Sequence, residues 1–171
     1  RKGGTVAHNE RAHDTLRRLG IACHAAFMVR PEYGHAEFRR LRDYVGAMPP
    51  AQCSFTVCTP SPGTPDYEAA RPAFWCGDAY DLHDCMHPLT PTALPLREFS
   101  ALLARQIGEA GRRNPLRVER HLTRPWELAR IVHADRHYQR AFRELYRDYP
   151  RELWEWPGNT GFSPHGGLQA D

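Results

Sequence analysis

The stretch Ile21-Ala22-Cys23-His24-Ala25-Ala26-Phe27-Met28-Val29 is a nearly continuous apolar run of strand length, interrupted only at Cys23 and His24 and left through Arg30 and Pro31. A run of that kind, bounded by turn residues, predicts a buried strand of a parallel sheet. Upstream, Asn9 to Leu19 puts Ala12, Leu16 and Leu19 at helical spacing, with Asn9 as N-cap and Gly20 as the C-terminal stop. Downstream, His35 to Met48 returns to the helical period with Phe38, Leu41 and Val45 on one face, and Pro49-Pro50 ends it. Cys53-Ser54-Phe55-Thr56-Val57-Cys58 then reads as a second short strand between prolines. Helix, strand, helix, strand at this spacing predicts an α/β layer built of βαβ units with right-handed crossovers.

The character changes after the second strand. Thr59-Pro60-Ser61-Pro62-Gly63-Thr64-Pro65 is a stiff turn in which proline fixes φ and Gly63 permits a positive one. Asp66 to Arg71 reads as a short helix, and Ala79 to Pro95 as a long Pro- and Thr-rich loop of the kind that serves a function or a lid. A helix is expected from Leu96 to Gly108, with Phe99, Leu102, Leu103 and Ile107 inward. A longer one is expected from Pro125 to Tyr149, its apolar face formed by Leu128, Ile131, Val132, Tyr138, Phe142, Leu145 and Tyr149. The stretch from Pro157 to Asp171 has no periodicity and is expected to be disordered. The resulting division is an α/β part over 1–75, a helical extension over 76–156 and a tail over 157–171.

Composition narrows the class. The chain has 171 residues, 41% hydrophobic and 25% charged, which suits one ordinary globular domain. A formal net charge of +3 gives no argument for nucleic acid. No apolar run approaches the roughly 20 residues needed to span a bilayer. Five cysteines, an odd number without a secretion signal, favour reduced thiols and a cytoplasmic location over a disulfide framework. The opening Arg1-Lys2-Gly3-Gly4 has no initiator Met, so the chain is expected to be a piece of something longer or to have been trimmed.

Three places could carry chemistry. Ligands of parallel α/β sheets bind at the carboxyl ends of strands, which makes Arg30, Glu32, Thr59 and Pro60 candidates; the plainer alternative is an ion pair and a loop hydroxyl. His83 and His87, four apart in His83-Asp84-Cys85-Met86-His87, could share a metal on a helix. Pro88 and Pro91 argue against that helix and no third ligand offers itself, so loop packing or the lining of a substrate pocket is the expectation and no metal site is assigned. The arginines of the last helix, among them Arg136, Arg140, Arg143 and Arg147, could meet phosphates or an acidic membrane. Their interleaving with Glu144, Asp148, Glu152 and Glu155 suggests a solvated, ion-paired face instead. No catalytic residue is assigned.

Several stretches together resemble one family. KGGTVAHNERAHDTLRRLGI (2–21), AAFMVRPEY (25–33), FRRLRDYV (38–45) and FTVCTPSPGTPDYE (55–68) resemble the later part of the barrel of radical S-adenosylmethionine enzymes with a cobalamin-binding domain. The PGT after the second strand is the sharpest element. YDLHDCMHPLTPTALPLREFSALLARQ (80–106) and NPLRVERHLTRPWELARIVHADRHYQRAFRELYRDYPREL (114–153) resemble the C-terminal region of the hopanoid C-3 methylase branch.

The resemblance implies a partial (β/α) barrel that holds S-adenosylmethionine and a 4Fe–4S cluster, with cobalamin bound by a preceding domain and a helical extension behind. It implies radical methylation of an unactivated carbon of a triterpenoid lipid, an electron donor as partner, and a peripheral contact with the membrane. Cofactors carry the hard chemistry in such enzymes and the protein positions them. By matching position, Arg30, Glu32, Thr59 and Pro60 would help hold the nucleoside part of S-adenosylmethionine. The cluster cysteines and the cobalamin pocket have no counterpart here, so this piece alone is expected to be inactive. Alternatives are a related enzyme performing cyclisation or rearrangement, and an interaction domain docking through its Arg-rich helix.

Overall fold

The computed structural model describes residues 4–49, 51–77, 79–113 and 125–155, so the tail expected to be disordered lies outside the described residues. Helix α1 spans Val6–Arg18 and begins four residues earlier than an N-cap at Asn9 would have it. Thr5 is the N-cap instead, its Oγ1 accepting from the His8 N–H at 3.2 Å. The helix ends as the glycine predicts. Gly20 sits at φ +72°, its N–H bonds the Arg17 carbonyl at 3.0 Å, and the Ile21 N–H bonds that of Leu16 at 2.9 Å. This reciprocal pair closes the helix and consumes the Ile21 donor. Strand β1 therefore starts only at His24 and runs His24–Val29, leaving Ile21 half in solvent.

The apolar spacing of α1 does not mark its buried side. Ala12 and Leu19 are exposed, Leu16 is half-buried, and the one buried residue of the helix is His13.

Helix α2, His35–Ala47, carries the chain from β1 to strand β2, Gln52–Val57. The two strands pair in parallel, His24 opposite Gln52 through to Val29 opposite Val57. The expected α/β layer is present, and two strands do not close a barrel. Burial alternates along β1: Ala25, Phe27 and Val29 face the helices while His24, Ala26 and Met28 face outward. The run is thus covered on one side, a correction to the doubly buried strand expected, because Phe38 and Val45 of α2 gather with Val29 and Phe55 on one face.

The turn after β2 follows from its residues. Gly63 stands at φ +80° behind Pro62, and the Thr64 N–H and Oγ1 both donate to the Ser61 carbonyl, at 3.2 and 2.7 Å. This is a type II arrangement, which needs a positive φ at its third residue. Thr64 then caps helix α3, Pro65–Ala70, accepting from the Tyr67 N–H at 3.2 Å, with Pro65 in the first turn. Gly63→Ala is expected to cost about 1–2 kcal/mol, since a Cβ meets no neighbour there and only the left-handed backbone opposes it. Chemical denaturation of both chains measures it.

Helix α4 spans Leu96–Arg113 and passes through Gly108, where the sequence predicts an end. The glycine serves a close approach instead: a Cβ on Gly108 would lie 2.9 Å from Oε1 of Gln139 on helix α5, Pro125–Glu144. One core gathers Val29, Phe38, Val45, Phe55, Val57, Phe99, Leu103 and Phe142 between sheet and helices. A second gathers Tyr67, Phe74, Trp75, Leu82, Leu89, Leu96, Tyr149 and Leu153. Residues from both sides of position 75 meet in each. The apolar face expected of α5 is only partly used. Phe142 and Tyr149 are buried and Leu145 half-buried, but Val132 and Tyr138 are 42% and 49% exposed. The side chains of Leu128 and Ile131 lie outside the described residues, and a 3-10 turn over Leu145–Asp148 carries the chain on to Tyr149.

Candidate functional site

The parallel register brings the two strand exits side by side. The Cys58 N–H donates to the Val29 carbonyl at 2.7 Å, so Arg30 and Thr59 leave from neighbouring strand ends. The loop after α3 ties itself across them. The Val57 N–H donates to the Cys85 carbonyl at 2.6 Å, and the Ala93 N–H to that of Pro31 at 3.0 Å. Cys85 adopts φ +61°, an uncommon left-handed conformation for a side-chain-bearing residue, as it turns its carbonyl to the strand.

Each residue singled out from the sequence has a definite place here. The Arg30 Nε donates to Glu32 Oε2 at 3.1 Å, and both side chains are more than 60% exposed. An exposed pair of this kind contributes little to stability, which leaves both groups free to exchange partners with a ligand. Thr59 Oγ1 lies 3.2 Å from the Val57 carbonyl and 3.4 Å from that of His87, so its proton is already engaged in the loop. Pro60 is half-buried beside it.

The His83 to His87 segment separates its two histidines. His83 stands among the rings of Tyr67, Phe74 and Tyr80, at centroid distances of 5.7, 5.9 and 5.6 Å, and neither of its nitrogens has a hydrogen-bond partner among the described residues. His87 is buried and held at both ends: Nδ1 is 2.9 Å from Asp84 Oδ2 and Nε2 is 3.0 Å from Asp148 Oδ2. Asp84 Oδ1 also accepts from the N–H groups of Met86 and His87 at 2.7 and 2.9 Å. Burial opposes the Asp84 charge, yet those two N–H groups and the imidazole outweigh it and hold the carboxyl below its usual range. Tyr149 closes the cluster, its hydroxyl donating to the Pro88 carbonyl at 2.8 Å, and burial pushes that phenol upward.

From the sequence a metal pair with His83 was weighed and set aside; the partners of His87 are two aspartates, one of them 61 positions away. Asp84, three residues before His87, was the one local signal. Among the described residues no three His, Cys, Asp or Glu side chains converge on a metal-sized point. Of the arginines of the last helix, Arg140 pairs with Glu144, and Arg147 in the turn beyond it does so too, each at 3.3 Å, as expected of a mixed-charge face.

Clefts open both at the sheet and between the helices. One of about 610 Å³ runs between α1, the outer edge of β1 and the end of α2. Another of about 320 Å³ lies between α2 and α4. No helix among the described residues is long and apolar enough to cross a membrane.

The chain is similar to the hopanoid C-3 methylase of Methylococcus capsulatus (strain ATCC 33009 / NCIMB 11132 / Bath), with 28% identity over 126 residues. The match takes in 69% of this chain and 24% of that enzyme, so the chain spans about a quarter of the relative's length. No family model matches the chain, and no solved structure matches it.

Proposed function

We propose that this chain is the C-terminal part of a radical S-adenosylmethionine, cobalamin-dependent methyltransferase that methylates an unactivated carbon of a hopanoid lipid, at ring position C-3. The likeness to a hopanoid C-3 methylase carries the reading. The side-by-side exits of a parallel strand pair support it, because such ends are where α/β enzymes bind their ligands.

The cysteines of this chain do not fit an iron–sulfur cluster. All five are free and none belongs to a convergent donor set among the described residues. Burial pushes the thiols of Cys53 and Cys76 up, away from the thiolate that a cluster requires. In this reading the cluster and cobalamin are held by residues outside the chain. The work of the chain is to present Arg30, Glu32, Thr59 and Pro60 to S-adenosylmethionine and to brace those exits with the loop that carries Cys85 and His87.

Express the natural polypeptide that contains this chain, load it anaerobically with iron, sulfide and cobalamin, and supply S-adenosylmethionine with a hopanoid. A hopanoid bearing one additional methyl group is expected. Turnover of S-adenosylmethionine with an unmethylated, rearranged product would move the reading to the cyclising relatives. Failure to bind S-adenosylmethionine at all would end it. In the same protein, Arg30→Ala and Glu32→Ala are expected to shift stability by no more than about 0.5 kcal/mol, as exposed positions do, while weakening S-adenosylmethionine binding several-fold in calorimetric titration.

A further inference from the structure

Helix α2 sets His35, Arg39 and Arg42 along one stripe, at helical spacing, and α4 sets Arg105, Gln106 and Glu109 opposite them across the cleft of about 320 Å³. That volume is at the small end of the range for ligand pockets, about 300–1,000 Å³. Three guanidinium groups face it against a single carboxylate. Glu109 is satisfied by Arg105, whose Nε donates to it at 2.8 Å, and that hydrogen bond, with Arg42 and Arg112 adding to it, holds the Glu109 carboxyl low. Arg42 reaches its sequence neighbour Asp43 at 3.5 Å, and Arg39 has no carboxylate partner among the described residues. The positive charge is therefore incompletely matched.

A second observation is independent of charge. Gln106 is 4% exposed, lines the same cleft, and its amide makes no hydrogen bond among the described residues. Its amide atoms are not among the fully enclosed groups without a partner, so they open onto the cleft, where a ligand or water meets them.

We infer that the α2–α4 cleft is a binding site for a phosphate group, held by Arg39, Arg42 and Arg105 with the Gln106 amide donating from below. Guanidinium is the group suited to two-point contact with a phosphate, and Gln106 adds a neutral donor that a surface charge patch alone does not offer. The site is on the helix side of the sheet, away from the strand exits, and does not depend on the methyltransferase reading. The phosphate can be that of a lipid headgroup or of a small soluble ester.

The test is calorimetric titration of the full chain with inorganic phosphate, at constant ionic strength set with chloride. Wild type is expected to bind, with affinity falling roughly tenfold in R39Q/R42Q and several-fold in Q106L, which keeps the net charge. Arg39→Lys, equally charged but without the two-point geometry, is expected to fall between. Circular dichroism checks that each variant folds. Co-sedimentation with phosphatidylglycerol vesicles, against phosphatidylcholine alone, assigns the source: retention lost in R39Q/R42Q supports a headgroup, and phosphate binding without retention supports a soluble ester. No phosphate binding by wild type, or equal binding by wild type and Q106L, overturns the site.

Discussion

Phe99→Ala is expected to destabilise the chain by about 3–5 kcal/mol, the range for deleting a buried aromatic ring. Phe99 is 1% exposed and projects from α4 into the point where helices and sheet meet. It packs edge-on against Phe38 of α2, ring centroids 5.4 Å apart at 75°, beside Val57 of β2 and Leu103 of its own helix in the same core. The contact joins α2 and α4 over the two-stranded sheet of the described residues. Little around it can collapse into the space left, because Val29, Val57 and Leu103 are themselves fully enclosed. Val132→Ala is the control. That side chain is 42% exposed, and its loss is expected to change stability by no more than about 0.5 kcal/mol. Equal effects at the two positions would mean that Val132 is covered in solution.

His87→Ala is expected to cost about 2–3 kcal/mol, more than a surface ion pair and less than a fully enclosed one. The imidazole bridges two carboxylates, Asp84 in the loop and Asp148 in the turn beyond α5. Removing it unties the loop from that turn while leaving two carboxylates that are 41% and 59% exposed and can hydrate, which limits the loss. Asp84 adds a pH signature with a defined sign. Its carboxyl is held below the ordinary 3.8, so its contribution is fully present above that value and fades as pH falls through the lower value of the folded state. Acid titration of wild type against Asp84→Asn checks this: the variant should be less stable at neutral pH, and the gap should close below pH 3.8. A gap that persists unchanged into stronger acid would show that the charge of Asp84 is not what matters.

The candidate site was partly legible. That Arg30 and Thr59 leave adjacent strand ends follows from two apolar runs separated by one helix, since a crossover of that length favours parallel pairing. What those side chains do there was not legible. Arg30 turns to Glu32 and Thr59 to carbonyls of its own strand and of a loop 28 residues on, and such choices depend on what else arrives nearby. The α2–α4 cleft was missed for a related reason. Arg39, Arg42 and Arg105 look like ordinary solvated charges along the chain, and only the packing of two helices sets them around one space.

What the sequence by itself determined is local: where helices and strands occur, the stop at Gly20, and the turn at Gly63. Each depends on backbone geometry and on hydrogen bonds spanning a few residues, so the information is complete within a short window. The tertiary structure alone decided which apolar surfaces are covered. Hydrophobic spacing marks a face that could be buried, but Met28 and Val132 stay in solvent because no described element packs over them. It alone also joined His87 to Asp148 across 61 positions, since a contact of that separation exists only once the helices between have packed and closed the loop.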